Sequence, residues 1–257
     1  MRQLAVNSSL TGLPTFVTLT VMTTFVARAA PSTAGPHGLH RSLPVAGVVV
    51  YLLASGLHGG EQADDLPAVL PQYAANDLWL LSHAGQLLGM LLLLAGWATS
   101  LTWLSKRPST VTRARVVLLL AAAVYTINQA VDGVAVQHVA QVYVGSPAQQ
   151  QPTALLVADA VRHVEIGLTS TFQLLIGVAL ALTAVAVHAE RRWFAVLSAT
   201  VAGSWLVLAV DVATNGFANT APTSVAALGL VTWVVWLTVA TSSRHRARAD
   251  VIRRTGP

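Results

Sequence analysis

Three carboxylates stand where carboxylates are costly. Asp132, Glu165 and Asp211 each lie within or near the end of a stretch that otherwise reads Val, Leu and Ala. A carboxyl in apolar surroundings with no cation beside it is pushed toward its neutral form, and a neutral carboxyl can serve as a general acid. Asp132 fits this best, because Tyr125, Asn128 and Gln129 on its own helical face offer hydrogen bonds but no charge. Glu165 follows Arg162 by three residues, and Asp211 precedes Asn215 by four. The second chemistry on offer is ligation. His58, His83, His138 and His163 come from four successive apolar stretches at similar depth. A haem, or a copper, zinc or iron ion with Asp132 or Glu165 as oxygen ligand, is therefore allowed, although nothing in the sequence demands a cofactor. No His-x-x-x-His or Glu-x-x-His pair supports it, and the absence of cysteine excludes thiolate sites and disulfides.

The elements that must hold these residues follow from composition. The chain of 257 residues is 54% hydrophobic and only 10% charged, with a mean hydropathy of +0.62. Soluble domains carry about 25% charged residues, so most of this surface faces lipid. Seven apolar runs are legible, at about 10–28, 44–59, 78–104, 115–143, 154–188, 193–214 and 223–242. A helix needs about 20 apolar residues to cross a bilayer. No run alternates with period two, so strands are not expected. The fold expected is an all-α membrane bundle of about seven spans over 1–243, with a basic cytoplasmic tail at 244–257.

Charge sets the orientation. Arg28 and Arg41, then Lys106, Arg107, Arg113 and Arg115, then Arg191 and Arg192, and finally five arginines from Arg244 to Arg254 occupy alternate connections. The other connections carry Glu61, Asp64, Asp65 and Asp77, or are neutral. This is the positive-inside pattern, with the N-terminus outside and the C-terminus in the cytoplasm of a plasma-membrane protein. The net charge of +5 is thereby accounted for without nucleic acid. "VARAAPS" at the end of the first run also resembles a signal-peptide cleavage site, and cleavage would leave six spans. Arg28 and Arg41 on the far flank favour a retained helix.

Counting about 20 residues outward from each basic connection places Asp132, Glu165, Asp211 and the four histidines in one outer layer. At 100° per residue, Tyr125, Asn128, Gln129 and Asp132 share a face. So do His83 with Gln86 and Ser55 with His58, and Asp159, Arg162, His163, Ser170 and Gln173 form a stripe with Glu165 and Thr169 at its edge. Lipid does not solvate such faces, so they turn toward one another and form an outward-opening polar pocket. Gly-rich phosphate loops, nucleophile elbows, Asp-rich diphosphate motifs and inverted repeats are absent, and Gly-x-x-x-Gly spacing does not stand out.

The stretches "AVDGVAVQH", "ADAVRHVEIGLTSTFQLLIGVAL" and "SHAGQLLGMLLLLAGW" resemble segments of polytopic membrane proteins of unknown activity common in high-GC bacteria. The likeness covers the third to sixth runs and implies a helical membrane fold, with no activity to carry over. His138 and His163 depart from that pattern, so it implies no histidine-ligand site.

Two functional classes are then expected. In the first, a membrane-embedded enzyme uses Asp132, Glu165 or Asp211 as general acid on a lipophilic, isoprenoid-like substrate held by His83, Asn128, Gln129, His163 and Tyr125. Small seven-helix terpene cyclases are an architectural analogy. In the second, the pocket binds a ligand or ion for sensing or transport without chemistry. A redox protein with haem or metal on His58, His83, His138 and His163 is a further alternative; no inner-leaflet histidine pair is present to carry electrons across the membrane.

Overall fold

The computed structural model describes residues 39–58, 65–218 and 220–255. Within them every regular element is a helix. Helix α1 (Leu39–Ser55) and a short α2 (Leu66–Ala75) precede α3 (Trp79–Leu104) and α4 (Pro108–Gly145). Then come α5 (Gln151–Val187), α6 (Arg192–Asn215) and α7 (Thr220–Thr255). The helices α3, α4, α5 and α6, together with Ala221–Thr241 of α7, are each long and apolar enough to cross a bilayer. The protein is a multi-pass membrane protein with five such helices among the described residues; the apolar part of α1, Ser42–Ser55, is shorter. The first run and its cleavage motif lie outside the described residues, as does most of the acidic loop with Glu61 and Asp64.

Three boundaries differ from the sequence reading. First, α1 ends at Ser55, so His58 stands beyond the helix rather than in its outer third. Second, α7 runs on through the arginine-rich segment to Thr255, past the end of the seventh apolar run at about 242. Arginine and alanine are good helix formers, and extending an existing helix needs no new nucleus. Third, α2 occupies what the sequence presents as a loop. Asp65 precedes it, Pro67 falls in its first turn, and Leu66, Val69, Leu70 and Tyr73 are buried at spacings of three and four. Proline is tolerated in a first helical turn, so "LPAVLPQY" starts a helix instead of breaking one.

The long helices pack in a closed ring: α1 on α3, then α3 on α4, α4 on α5, α5 on α6, α6 on α7, and α7 back on α1. The tightest crossing is α1 with α3. A Cβ at Gly47 would lie 2.4 Å from the Leu93 amide nitrogen, and one at Gly89 would lie 2.5 Å from that of Tyr51. Gly85 likewise makes room for Ala54, and Gly96 for Pro44. Gly85 and Gly89 are four apart, so the small-residue spacing that does not stand out in the sequence is what lets these two backbones touch.

Lipid supplies no hydrogen bonds, and two buried tryptophans find theirs inside the bundle. Trp97 and Trp233 meet at 4.6 Å between ring centroids. The Trp97 indole N–H donates to Thr183 Oγ1 (3.1 Å) and that of Trp233 to Ser198 Oγ (2.8 Å). Thr183 and Ser198 in turn donate to carbonyls four residues back. Leu53, Leu119, Leu156 and Leu228 point outward from their helices.

At one end of the bundle the α3–α4 and α5–α6 connections meet. Ser105 Oγ donates to the Ala186 carbonyl (2.7 Å), the Lys106 amide to Glu190 Oε1 (3.2 Å), and Arg107 Nη1 to the Val185 carbonyl (3.3 Å). Helix α2 lies at the other end, against α4 beyond its midpoint.

Candidate functional site

The candidate site is at the α2 end. His83 is 24 residues before Arg107, about 36 Å along a helix. The first two turns of α3 turn Trp79, Ser82, His83 and Gln86 inward, at the spacing of one helical face. His83 Nδ1 lies 2.7 Å from the Trp79 carbonyl. A carbonyl only accepts, so Nδ1 carries the proton and orients the ring. Nε2 is then directed across to α4, where it lies 3.1 Å from Asp132 Oδ2. This is an ion-pair contact rather than an aligned hydrogen bond, and Nε2 makes none among the described residues.

Asp132 sits in a π-helical stretch, Val131–Val136, that interrupts α4. Such turns loosen the backbone ladder and are frequent at functional sites. Here the Asp132 carbonyl also accepts the Trp79 indole N–H (3.1 Å), so one tryptophan holds both partners of the pair. Gly133 supplies the remaining condition. A Cβ there would lie 2.7 Å from His83 Cβ, so the imidazole can lie against α4 only because that side chain is missing.

His58 completes a cluster with His83 and Asp132. One ligand atom from each lies within 4.8 Å of the others. The His58 ring is 4.9 Å from that of His83 and 4.5 Å from that of Trp79, between centroids. Its backbone is pinned by Asn76, whose Nδ2 donates to the His58 and Leu57 carbonyls. Tyr73 from α2 packs on Trp79 with its ring tilted by 42°, at 4.6 Å between centroids. Burial raises the Tyr73 pKa, while the nearby Arg162 charge opposes that rise.

On its other side Asp132 borders a cavity of about 210 Å³ inside the ring of helices. One wall is polar, with Gln86, Tyr125, Asn128, Gln129, Glu165 and Gln173. The α1, α6 and α7 residues that complete the lining are mostly apolar, among them Leu52, Leu208 and Leu230. Gln129 Oε1, Gln173 Oε1 and Trp205 Nε1 are buried without a hydrogen-bond partner among the described residues. Asn128 is fixed by Thr169, whose hydroxyl donates to its Oδ1 (3.3 Å).

The expected face of Tyr125, Asn128, Gln129 and Asp132 is therefore one wall of a real cavity. Asp132 nevertheless has a basic partner, His83, which comes from another helix. The expected stripe on α5 is rotated: Arg162, Glu165, Phe172, Gln173 and Ile176 are buried, whereas Asp159 and His163 pair with each other on the exterior. Buried aromatic and aliphatic positions set the inward face, and the charged residues follow it. Glu165 is buried and held by Arg162 Nη1 at 3.0 and 2.8 Å, with the Arg162 guanidinium 4.4 Å from the Phe217 ring centroid. Asp211 does not line the cavity; its Oδ1 accepts from Asn215 Nδ2 (2.8 Å) near the end of α6. His138 and His163 are exposed, so of the four outer histidines only His58 and His83 come together. Their rings are in contact, which leaves no space for a porphyrin between them.

Trp79, Gly133 and Tyr73 were not singled out by the sequence. Trp79 and Gly133 had a legible signal, since Trp79 is four residues before His83 and Gly133 adjoins Asp132. No protein-family model, no curated protein and no solved structure matches the chain.

Proposed function

We propose that the chain is a membrane-embedded enzyme that draws one end of a lipophilic, isoprenoid-like molecule into the cavity and acts on it by acid catalysis at the Asp132–His83 pair. It is placed in a bacterial plasma membrane, with seven spans counting the run at 10–28, the N-terminus outside and the C-terminus in the cytoplasm. The observation that carries this reading is the mixed lining of the cavity, which sets Tyr125, Asn128, Gln129 and Asp132 in one space with leucines, valines and aromatic rings. Its volume of about 210 Å³ is below the range of roughly 300–1,000 Å³ for ordinary ligand pockets. It suits the end of a longer molecule whose remainder stays in lipid. A proton delivered from the Asp132 pair to a double bond or epoxide oxygen there would start a cyclisation or isomerisation, and loss of a proton from the resulting cation would end it. Glu165, neutralised by Arg162, serves as structure in this reading.

A second reading is favoured by Gln129, Gln173 and Trp205, whose unpartnered polar atoms suit recognition without chemistry. One experiment separates the two. Wild-type protein and Asp132→Asn are purified from membranes in mild detergent, and the bound lipophilic molecules are extracted and weighed. Acid catalysis requires the variant to retain a precursor that the wild type has converted. The same molecule on both proteins supports binding alone. No molecule on either, together with no change in Trp205 fluorescence on adding isoprenoid lipids, removes both readings.

A further inference from the structure

We propose that His58, His83 and Asp132 form a binding site for one divalent transition-metal ion, zinc or iron(II) by the donor set, with a coordination position left for water or a ligand. The inference rests on the reading of the Asp132 pair as the working acid, and it identifies that acid as water bound to the ion.

Four observations on separate elements converge on it. The first is the donor set, two imidazoles and one carboxylate, which suits zinc in sites with three protein ligands and iron(II) in sites with open positions. The second is distance. Ligand atoms of a tetrahedral ion with bonds of about 2.1 Å lie about 3.4 Å apart. His83 Nε2 and Asp132 Oδ2 are at 3.1 Å, and all three ligand atoms lie within 4.8 Å of one another, so a small rotation of one imidazole closes the set.

The third is the state of His83. Its Nδ1–H is committed to the Trp79 carbonyl, and metal-binding histidines almost always donate their second ring nitrogen in this way. Nε2, buried and without an aligned hydrogen bond among the described residues, is thereby the ring atom left to face an ion. The fourth is the surrounding shell. Tyr73 and Trp79 wall the site with rings, the Trp79 indole fixes the Asp132 backbone, and Asn76 fixes that of His58. Such outer contacts orient ligands and keep bulk water out. Asp132 also borders the cavity, which brings an ion held there within reach of a ligand's end.

The test uses the full chain, without a histidine tag, stripped by a chelator in detergent and titrated with Co²⁺ and with Zn²⁺. One equivalent of Co²⁺ should bind with visible bands of low coordination number, and Zn²⁺ should displace it and raise the Tm. His58→Phe keeps the ring contacts and should lower metal affinity at least tenfold; His83→Gln should abolish the bands, while His138→Ala and His163→Ala should bind as wild type. X-ray absorption on the wild-type metal complex should show two imidazoles, a result that depends on no variant folding. Absence of stoichiometric binding, fewer than two imidazoles, or unchanged binding in both His58→Phe and His83→Gln would overturn the proposal. If no metal binds and Asp132→Asn still accumulates precursor, the metal site fails and the acid reading stands. If the metal binds and no lipophilic molecule is ever held, the reverse is true.

Discussion

Gly133 and His83 are in contact across two helices, and the imidazole occupies the volume that a side chain at 133 would fill. A methyl group there would sit 2.7 Å from His83 Cβ and 3.0 Å from its Cγ. Gly133→Ala is therefore expected to push His83 away from Asp132. Overpacking of this kind costs about 1–3 kcal/mol, more than the helix-propensity gain of up to about 1 kcal/mol returns. The expected result is a lower Tm together with loss of the site's metal affinity. Wild-type values for both would show that the two helices do not meet as described.

The α1–α3 crossing makes a sharper test of packing. Gly89→Ala brings a methyl to 2.5 Å from the Tyr51 amide nitrogen and 2.7 Å from the Gly47 carbonyl oxygen, both backbone atoms that cannot rotate aside. A loss of about 1–3 kcal/mol is expected. Gly203→Ala, with nothing within 4 Å of its Cβ, should gain about 0.5–1 kcal/mol in a helix interior. Thermal melting of both variants in the same detergent compares them directly, and equal effects would contradict the close crossing.

Arg162 and Glu165 are buried together, so the cost of separating them exceeds the worth of the pair. Glu165→Gln should destabilise by about 3–5 kcal/mol because it strands the guanidinium, and the double variant Arg162→Met with Glu165→Gln should recover most of that. If Glu165 is structural, the double variant also keeps the wild-type complement of bound lipophilic molecule. A double variant that folds but loses conversion would move Glu165 into the chemistry.

Topology is tested by reporters. A fusion after Pro257 should be active only in the cytoplasm, and an insertion near Gln150 only outside, as the alternation of basic connections requires. The opposite result would place the site on the cytoplasmic face.

The sequence by itself determined that the chain is helical and lies in a membrane, because five of its apolar stretches are long enough to leave no other solution for their backbone hydrogen bonds. It also determined the wall of Tyr125, Asn128, Gln129 and Asp132, since residues on one helix share a face by periodicity alone. What joins different helices was not available to it. That His83 rather than His138 or His163 reaches Asp132 depends on how α3 and α4 are rotated about their axes. The glycine contacts along α1 and α3 and the missing side chain at Gly133 act on that rotation through space. Likewise the inward face of α5 was set by Phe172 and Ile176 packing into the core, which left Asp159 and His163 outside although they carry the same kinds of groups as the buried Arg162 and Glu165. Helix α2 was hidden for a related reason: ten residues with two prolines gain little helicity alone, and burial of Leu66, Val69, Leu70 and Tyr73 against Trp79 and Val136 is what stabilises them as a helix.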